Sequence, residues 1–366
     1  MTSKMSRSWL LVLALVACKD ATGEKTKQMP PTPAPEIGSG SGSATGSDSA
    51  SGSGSGSAEE KKGINAEDYV PAEFKSGMSR WRDTGVYIDG KPVGFLNFDE
   101  LPIALKPTWV KDKVSQNKPP GCPECPAWKW TEQRFYKFTD YLRAVGVDLK
   151  KIKTLHVVGP KLSQTVEVSG AELLSKKADD FLFRFGAEIA GKPIPHTPEH
   201  FGNNKHPDKI NGVMVYITKK PPTITREGLT LDGVDIDGIP YYGEPVRGGV
   251  RVYLDDKLAA IIKRQDLDVK KATKTADGEL HWNLEQFLAA NGVDMSKIVE
   301  GWVVRDFRRK EHFPWSELKG MSFSAGEKAH GEVMLGDKNI VTHVLALHTH
   351  ALTPADLPEI RPEEEP

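Results

Sequence analysis

Cysteine is scarce in this 366-residue chain, with only Cys18, Cys122 and Cys125. A framework of several disulfides is thereby excluded, and only the close pair Cys122/Cys125 is spaced to bond or chelate within one loop. A dominant charge sign is missing too. The 49 Lys and Arg face 50 Asp and Glu, for a formal charge of −1. No overall field exists to draw the chain onto nucleic acid. Long apolar runs are also absent. The longest, residues 9–17, has nine residues, against the roughly 20 that a membrane-spanning helix needs.

That short run has a recognisable setting. Lys4 and Arg7 precede it, and Leu15-Val16-Ala17-Cys18 closes it. A basic segment, an apolar core of this length and a small residue before the cleavage point form an export signal, residues 1–17. The closing quartet resembles the lipobox of bacterial lipoproteins, with Leu three positions before the cut, a small residue before it, and the Cys that is acylated. The resemblance implies a mature chain starting at an acylated Cys18, held in the bilayer of the cell envelope. More than one acyl chain is what stable anchoring requires. Lys19, with Asp20 beside it, is similar to an outer-membrane sorting signal, which implies a periplasmic or surface-facing body. The expected partners are the bilayer, through Cys18, and an envelope protein or ligand.

Residues 18–63 carry no apolar pattern. Pro30, Pro31, Pro33 and Pro35 lead into a Gly/Ser tract over residues 38–57. Such a segment cannot bury enough apolar surface to offset its ordering entropy. About 45 residues of flexible chain span roughly 35–40 Å, so the segment reads as a tether.

The remaining chain reads as a duplication. Val86-Tyr87-Ile88-Asp89-Gly90-Lys91 aligns with Val252-Tyr253-Leu254-Asp255-Asp256-Lys257, 166 positions later. Both predict a β-hairpin. Phe138 to Asp148 aligns with Leu284 to Asp294, 146 positions later; each is a short amphipathic helix stopped at Gly146 or Gly292. Lys151-Ile152 and Lys297-Ile298 then introduce apolar strands. Ala171-Glu172-Leu173-Leu174 corresponds loosely to Trp315-Ser316-Glu317-Leu318. A last strand, Val213 to Thr218, aligns with Val344 to Thr349, 131 positions later. The expected fold is α+β, with mixed or antiparallel sheets in two tandem copies, residues 64–222 and 223–356, before an acidic tail, residues 357–366. The shrinking offsets place two insertions in the first copy, one holding Cys122 and Cys125 and one holding His196, His200 and His206.

Functional groups concentrate on loops carried by a rigid scaffold, so these insertions supply the candidate sites. In Gly121-Cys122-Pro123-Glu124-Cys125-Pro126 the prolines disfavour the helix that follows a redox CxxC. A disulfide clip fits an exported protein best; a redox pair and half of a metal site stay open. His196-Thr197-Pro198-Glu199-His200 matches the H-x-x-E-H string of zinc peptidases, but Pro198 keeps both imidazoles from sharing a helix. A looser site from His196, His200, His206 and Asp208 would suit Zn²⁺ or copper; no other cofactor is expected. His348 and His350 alternate on a strand, where the alignment sets them against Ile217 and Lys219, and read as an exposed face. Arg305, Arg308 and Arg309, with Lys310, could hold an anion or form a charged hairpin edge. No set supplies nucleophile, base and orienting partner together, so no catalytic residue is assigned.

Trp282 to Val304 resembles the helix-then-strand segment of the molybdopterin domain of the sulfite-oxidase family. Phe183 to Ile217, with Gly191-Lys192-Pro193, is similar to that domain's downstream part. The family's metal-binding Cys would fall just after the strand, where this chain has Gly159-Pro160 and Arg305-Asp306. The resemblance implies a related fold without molybdenum chemistry. The expected function is a non-catalytic binding module on a lipid-anchored tether, and the alternative is a metal or thiol enzyme, or a degenerate molybdopterin-type oxidoreductase, using the two insertions.

Overall fold

Asp89-Gly90 and Asp255-Asp256 lie in the left-handed region, with φ of 47° and 86° and of 46° and 63°. Two successive positive φ values close a two-residue hairpin whose twist suits its strands, and Gly and Asp tolerate them best. The first turn joins β1 (Gly85–Ile88) to β2 (Lys91–Phe95); the second joins β13 (Val250–Leu254) to β14 (Lys257–Ile262). Elements are numbered in chain order in a computed structural model that describes residues 84–115, 126, 128–185, 193–236, 238, 249–306, 309–325, 333–336 and 340–358. The leader with Cys18, the tether, Cys122, Cys125, Arg308 and the tail from residue 359 lie outside the described residues.

Each hairpin opens a five-stranded sheet. The first has the order β2-β1-β9-β5-β6, with β5 (Thr154–Val158), β6 (Val166–Ser169) and β9 (Gly212–Tyr216). The second has the order β14-β13-β22-β17-β18, with β17 (Glu300–Asp306), β18 (Arg309–Pro314) and β22 (Val344–His348). In both, the first strand runs parallel to the last, β1 to β9 and β13 to β22, and the other pairs are antiparallel. Both hairpins break register at the same place, Val86/Tyr87 and Val252/Tyr253.

A second antiparallel sheet accompanies each. In the first half it is β3 (Thr108–Ser115), β4 (Trp128–Lys137), β7 (Leu182–Phe185) and β8 (Pro193–His196). In the second half it is β15 (Thr273–Lys274), β16 (Leu280–Asn283), β19 (Ser322–Ser324), β20 (Val333–Leu335) and β21 (Ile340–Thr342). A ribbon of β10 (Thr223–Ile224), β11 (Leu229–Leu231) and β12 (Val234–Ile236) makes a fifth sheet. The fold class is α+β.

The helices match as well. They are α1 (Phe138–Ala144), α2 (Gly170–Leu173), α3 (Leu284–Ala290) and α4 (Trp315–Leu318) among the described residues. Phe138, Tyr141, Leu142 and Val145 put one face of α1 into the first core. Gly146, at φ 83°, ends α1, and Val147 N donates back to Leu142 O at 2.8 Å. Gly292, at φ 72°, ends α3, and Val293 N donates to Leu288 O at 3.0 Å. Both are Schellman caps, in which a left-handed residue lets the chain satisfy the last carbonyls.

Strand pairing corrects the alignment of the last strand. Val86 pairs with Val213, while Val252 pairs with Leu345. The offset is therefore 132 rather than 131, and His348 is the counterpart of Tyr216, not of Ile217. A one-residue slip moves every side chain to the other face. In the observed register Val213 and Val215 join the core under α1, while Met214 and Tyr216 face the opposite layer. Leu345 and Leu347 likewise face α3, and Val344 and Ala346 face away.

The halves differ in what leaves the scaffold. β3 and β4 form an eight-pair ladder, whereas their counterparts β15 and β16 share two pairs. Residues 197–211 run as a loop where the second half has β21. The β10–β12 ribbon packs through Leu229, Leu231 and Ile236 onto Leu162 of the first half. The described elements all belong to one compact unit, residues 61–366.

Candidate functional site

The His-bearing loop is tied down as a strap. Phe201 is fully buried and packs on Phe181, with ring centroids 5.1 Å apart. Asn203 N donates to Glu167 O at 3.0 Å, its side chain donates to Thr165 O at 2.9 Å, and Gly202 N donates to Glu172 Oε1 at 2.9 Å. The imidazoles then go separate ways. His196 ends β8 edge-on to Phe135, His200 sits exposed at φ 58° beside Glu199, and His206 contacts Asn204 Oδ1 at 2.8 Å. Asp208 is exposed. Among the described residues no three His, Cys, Asp or Glu side chains converge to hold a metal ion; Cys122 and Cys125 are outside that set. Arg305 is exposed on β17, and Arg309 begins β18 in register with Asp306. Those two backbone positions form a hairpin edge.

His348 departs from its expected exposed face. The ring is 1% exposed and neither nitrogen has a hydrogen-bond partner. It stacks on His350, with centroids 5.8 Å apart. Burial holds its pKa below the usual imidazole value, Glu300 and Asp255 oppose that shift, and His350 and His312 reinforce it. Glu300 is itself buried. Burial would raise its carboxyl, yet Leu352 N, Trp302 Nε1 and His312 together hold it below its ordinary value.

Each hairpin Asp clamps the strand lying parallel to its own. Asp89 accepts from Ile217 N, Thr218 N and Oγ1, and Lys219 N; Asp255 accepts from Thr349 N and Oγ1. Burial opposes ionisation in both, but these donors keep both carboxyls below the usual range. Asp256 is pushed up to about 6 by burial and by the neighbouring Asp255, which outweigh the His350 charge and a single backbone donor, Ile103 N.

Glu100 locks the halves together. Its segment, residues 97–105, crosses from β2 to the outer face of the second sheet, where Ile103 packs among Tyr253, Val304, Val344 and Ala346. Tyr253 Oη donates to Glu100 Oε2 at 2.7 Å, Asn97 Nδ2 donates to Oε1 at 3.3 Å, and Arg251 Nη1 lies 3.6 Å from Oε1. The Glu100 and Arg251 side chains are 3% and 6% exposed. The Arg251 guanidinium covers the Phe95 ring at 4.0 Å. Burial and the Glu100 charge raise the Tyr253 hydroxyl well above its usual value, so it stays a donor. The cavity beside this group is about 10 Å³, room for no more than one water. It is a joint between halves and not a substrate site.

Two surface features remain. An open cleft of about 710 Å³ lies between the strap and β10, lined by Glu167, Lys205, Lys220 and Arg226 among others. Glu167 also holds buried His156 at 2.9 Å, and this bond pulls its carboxyl below the usual value. The other feature is the β3–β4 ribbon. Among the described residues, β3 is the one strand paired with β4 beyond Tyr136 and Lys137, which pair with β7. The base is pinned: Asp112 pairs with Arg184 at 3.5 Å, and Arg134 lies over Phe98 and Trp109. Nearer the tip, Trp128 is 49% exposed and Trp130 is 63% exposed. Directly opposed residues share a face of an antiparallel pair. Trp130 opposes Lys113, and Lys113 Nζ reaches over Trp128 at 5.3 Å. The Trp128-Lys129-Trp130 alternation is the sequence signal that could have marked this surface.

No protein-family model, curated protein or solved structure matches the chain. The sites therefore stand on the residues alone.

Proposed function

We propose that this chain is a lipid-anchored protein of the cell envelope whose body is a non-catalytic binding module of two tandem copies of one unit. Leu15-Val16-Ala17-Cys18, directly after nine uncharged apolar residues and directly before the tether, supports the anchor. The matched sheet orders, bulges and helix caps support the two copies. The observation that carries the binding reading is the ribbon. Two large indoles stand exposed on one face of a projecting strand pair, held at its base by ion pairing and ring contacts. Contiguous aromatic exposure of this kind marks an interaction surface, and a two-stranded ribbon is marginal in water until it packs on something.

Detergent-phase partition of the full chain, made in a Gram-negative host that acylates lipoproteins, tests the anchor. The wild type is expected in the detergent phase and the Cys18→Ser variant in the aqueous phase. A wild type that stays aqueous would remove the anchor from this reading.

A further inference from the structure

We propose that the Trp128/Trp130 face of the β3–β4 ribbon docks on an anionic phospholipid surface. This deepens the binding reading above and borrows from the anchor only that a bilayer lies within reach.

The residue types select the occupant. Indole has a broad apolar body and one N–H donor, which settles it at the headgroup level of a bilayer, where one side is apolar and the other wet. The exposed cations among the ribbon's described residues are lysines. Lys111 and Lys113 share the indole face, Lys129 is on the reverse, and all three are exposed. Lys111 directly opposes Glu132, and Lys113 reaches over the Trp128 ring. Glu132 is the one acid on the indole face, and Asp112, on the reverse, is tied to Arg184. Protein–protein contact surfaces combine Trp with Arg and are depleted in Lys. Long flexible lysines beside interfacial indoles instead suit a diffuse layer of lipid phosphates, to which each ammonium adds attraction without a fixed partner. The ribbon's own guanidinium, Arg134, is turned inward over Phe98 and Trp109.

Residues 61–366 form the compact unit and carry no acyl group, so they report the ribbon alone. The measurement is co-sedimentation with vesicles of phosphatidylglycerol and phosphatidylethanolamine, alongside vesicles of neutral phosphatidylcholine. The wild-type unit is expected to bind the anionic vesicles, to release in high salt, and to bind the neutral ones weakly. Trp128→Ala/Trp130→Ala should lower binding at least about tenfold, and Lys111→Gln and Lys113→Gln about fivefold each. Near-UV and far-UV circular dichroism would show the exposed-site variants folded. No binding to anionic vesicles, or equal binding by wild type and the double Trp variant, overturns the proposal. So does a concentration-dependent dimer lost in the double variant without vesicle binding, which would make a second copy the occupant. A failure here leaves detergent partition by the acylated full chain unaffected, so the two readings fail separately.

Discussion

The first half of the body and the second share a sheet order, a parallel pair, a bulge position and a helix cap, and differ in what they add. The first half extends the β3–β4 ladder and adds the strap of residues 197–211. The second keeps short strands in the same places and adds buried titratable groups on the strand facing the joint. A shared sheet order with unequal additions separates what the sheet needs from what the surface does.

Counterpart residues make that separation measurable. Glu100 and Asp266 stand 166 positions apart, each at the end of a short 3-10 turn after its hairpin. Glu100 is buried against Tyr253 and Arg251, whereas Asp266 is exposed. Glu100→Ala takes the carboxylate away from the buried Arg251 guanidinium and Tyr253 hydroxyl and should cost about 3–4 kcal/mol in denaturant unfolding, while Asp266→Ala should stay within about 0.5 kcal/mol. Equal costs would break the view of Glu100 as a lock.

The second hairpin has a carboxyl, Asp256, where the first has Gly90. Its pKa of about 6 against a usual 3.8 means that the folded state disfavours the ionised form. The penalty is fully present above pH 6 and absent below the unfolded value. Asp256→Asn, which keeps an acceptor and tolerates positive φ, should stabilise the protein by about 1–2 kcal/mol at pH 8 and by nothing near pH 3. Thermal unfolding at the two pH values checks this.

His348 replaces Tyr216 in the second half. Its lowered pKa makes protonation unfavourable in the fold. The His348 contribution to stability should therefore fall as pH drops below the usual imidazole value, opposite in sign to the relief at Asp256 and ahead of the lowered carboxyls Asp89, Asp255 and Glu300. His348→Phe should flatten that first limb, with Glu300, His312, Asp255 and His350 left in place; an unchanged limb would assign it elsewhere. The smallest effect should come from the ribbon: Trp128→Ala/Trp130→Ala should change unfolding stability by under about 1 kcal/mol, since neither ring lies in a core.

Much of the scaffold was legible because it is written locally. Asp-Gly and Asp-Asp between apolar runs, and Gly after an amphipathic turn, each specify backbone that few other residues adopt. The register of the last strand was not legible. Val344-Leu345-Ala346-Leu347 is apolar at every position because both faces of β22 are covered, so the period-two alternation that marks an inner face is missing. Glu100 was missed for another reason: its partner lies 153 positions away, and nothing nearby distinguishes it from a surface acid. The imidazoles of residues 196–206 drew attention through their spacing, whereas the fold uses that segment through Phe201 and Asn203 as a strap.

An acylated Cys18 would decide where the proposed module works. The most direct measurement is mass spectrometry of the mature N-terminal peptide from the full chain expressed in a host that acylates lipoproteins. A peptide beginning at Cys18, followed by Lys19-Asp20 and bearing acyl chains on Cys18, is the expected result. An unmodified Cys18 inside an uncleaved chain, or a mature end elsewhere, would contradict a lipid-anchored module.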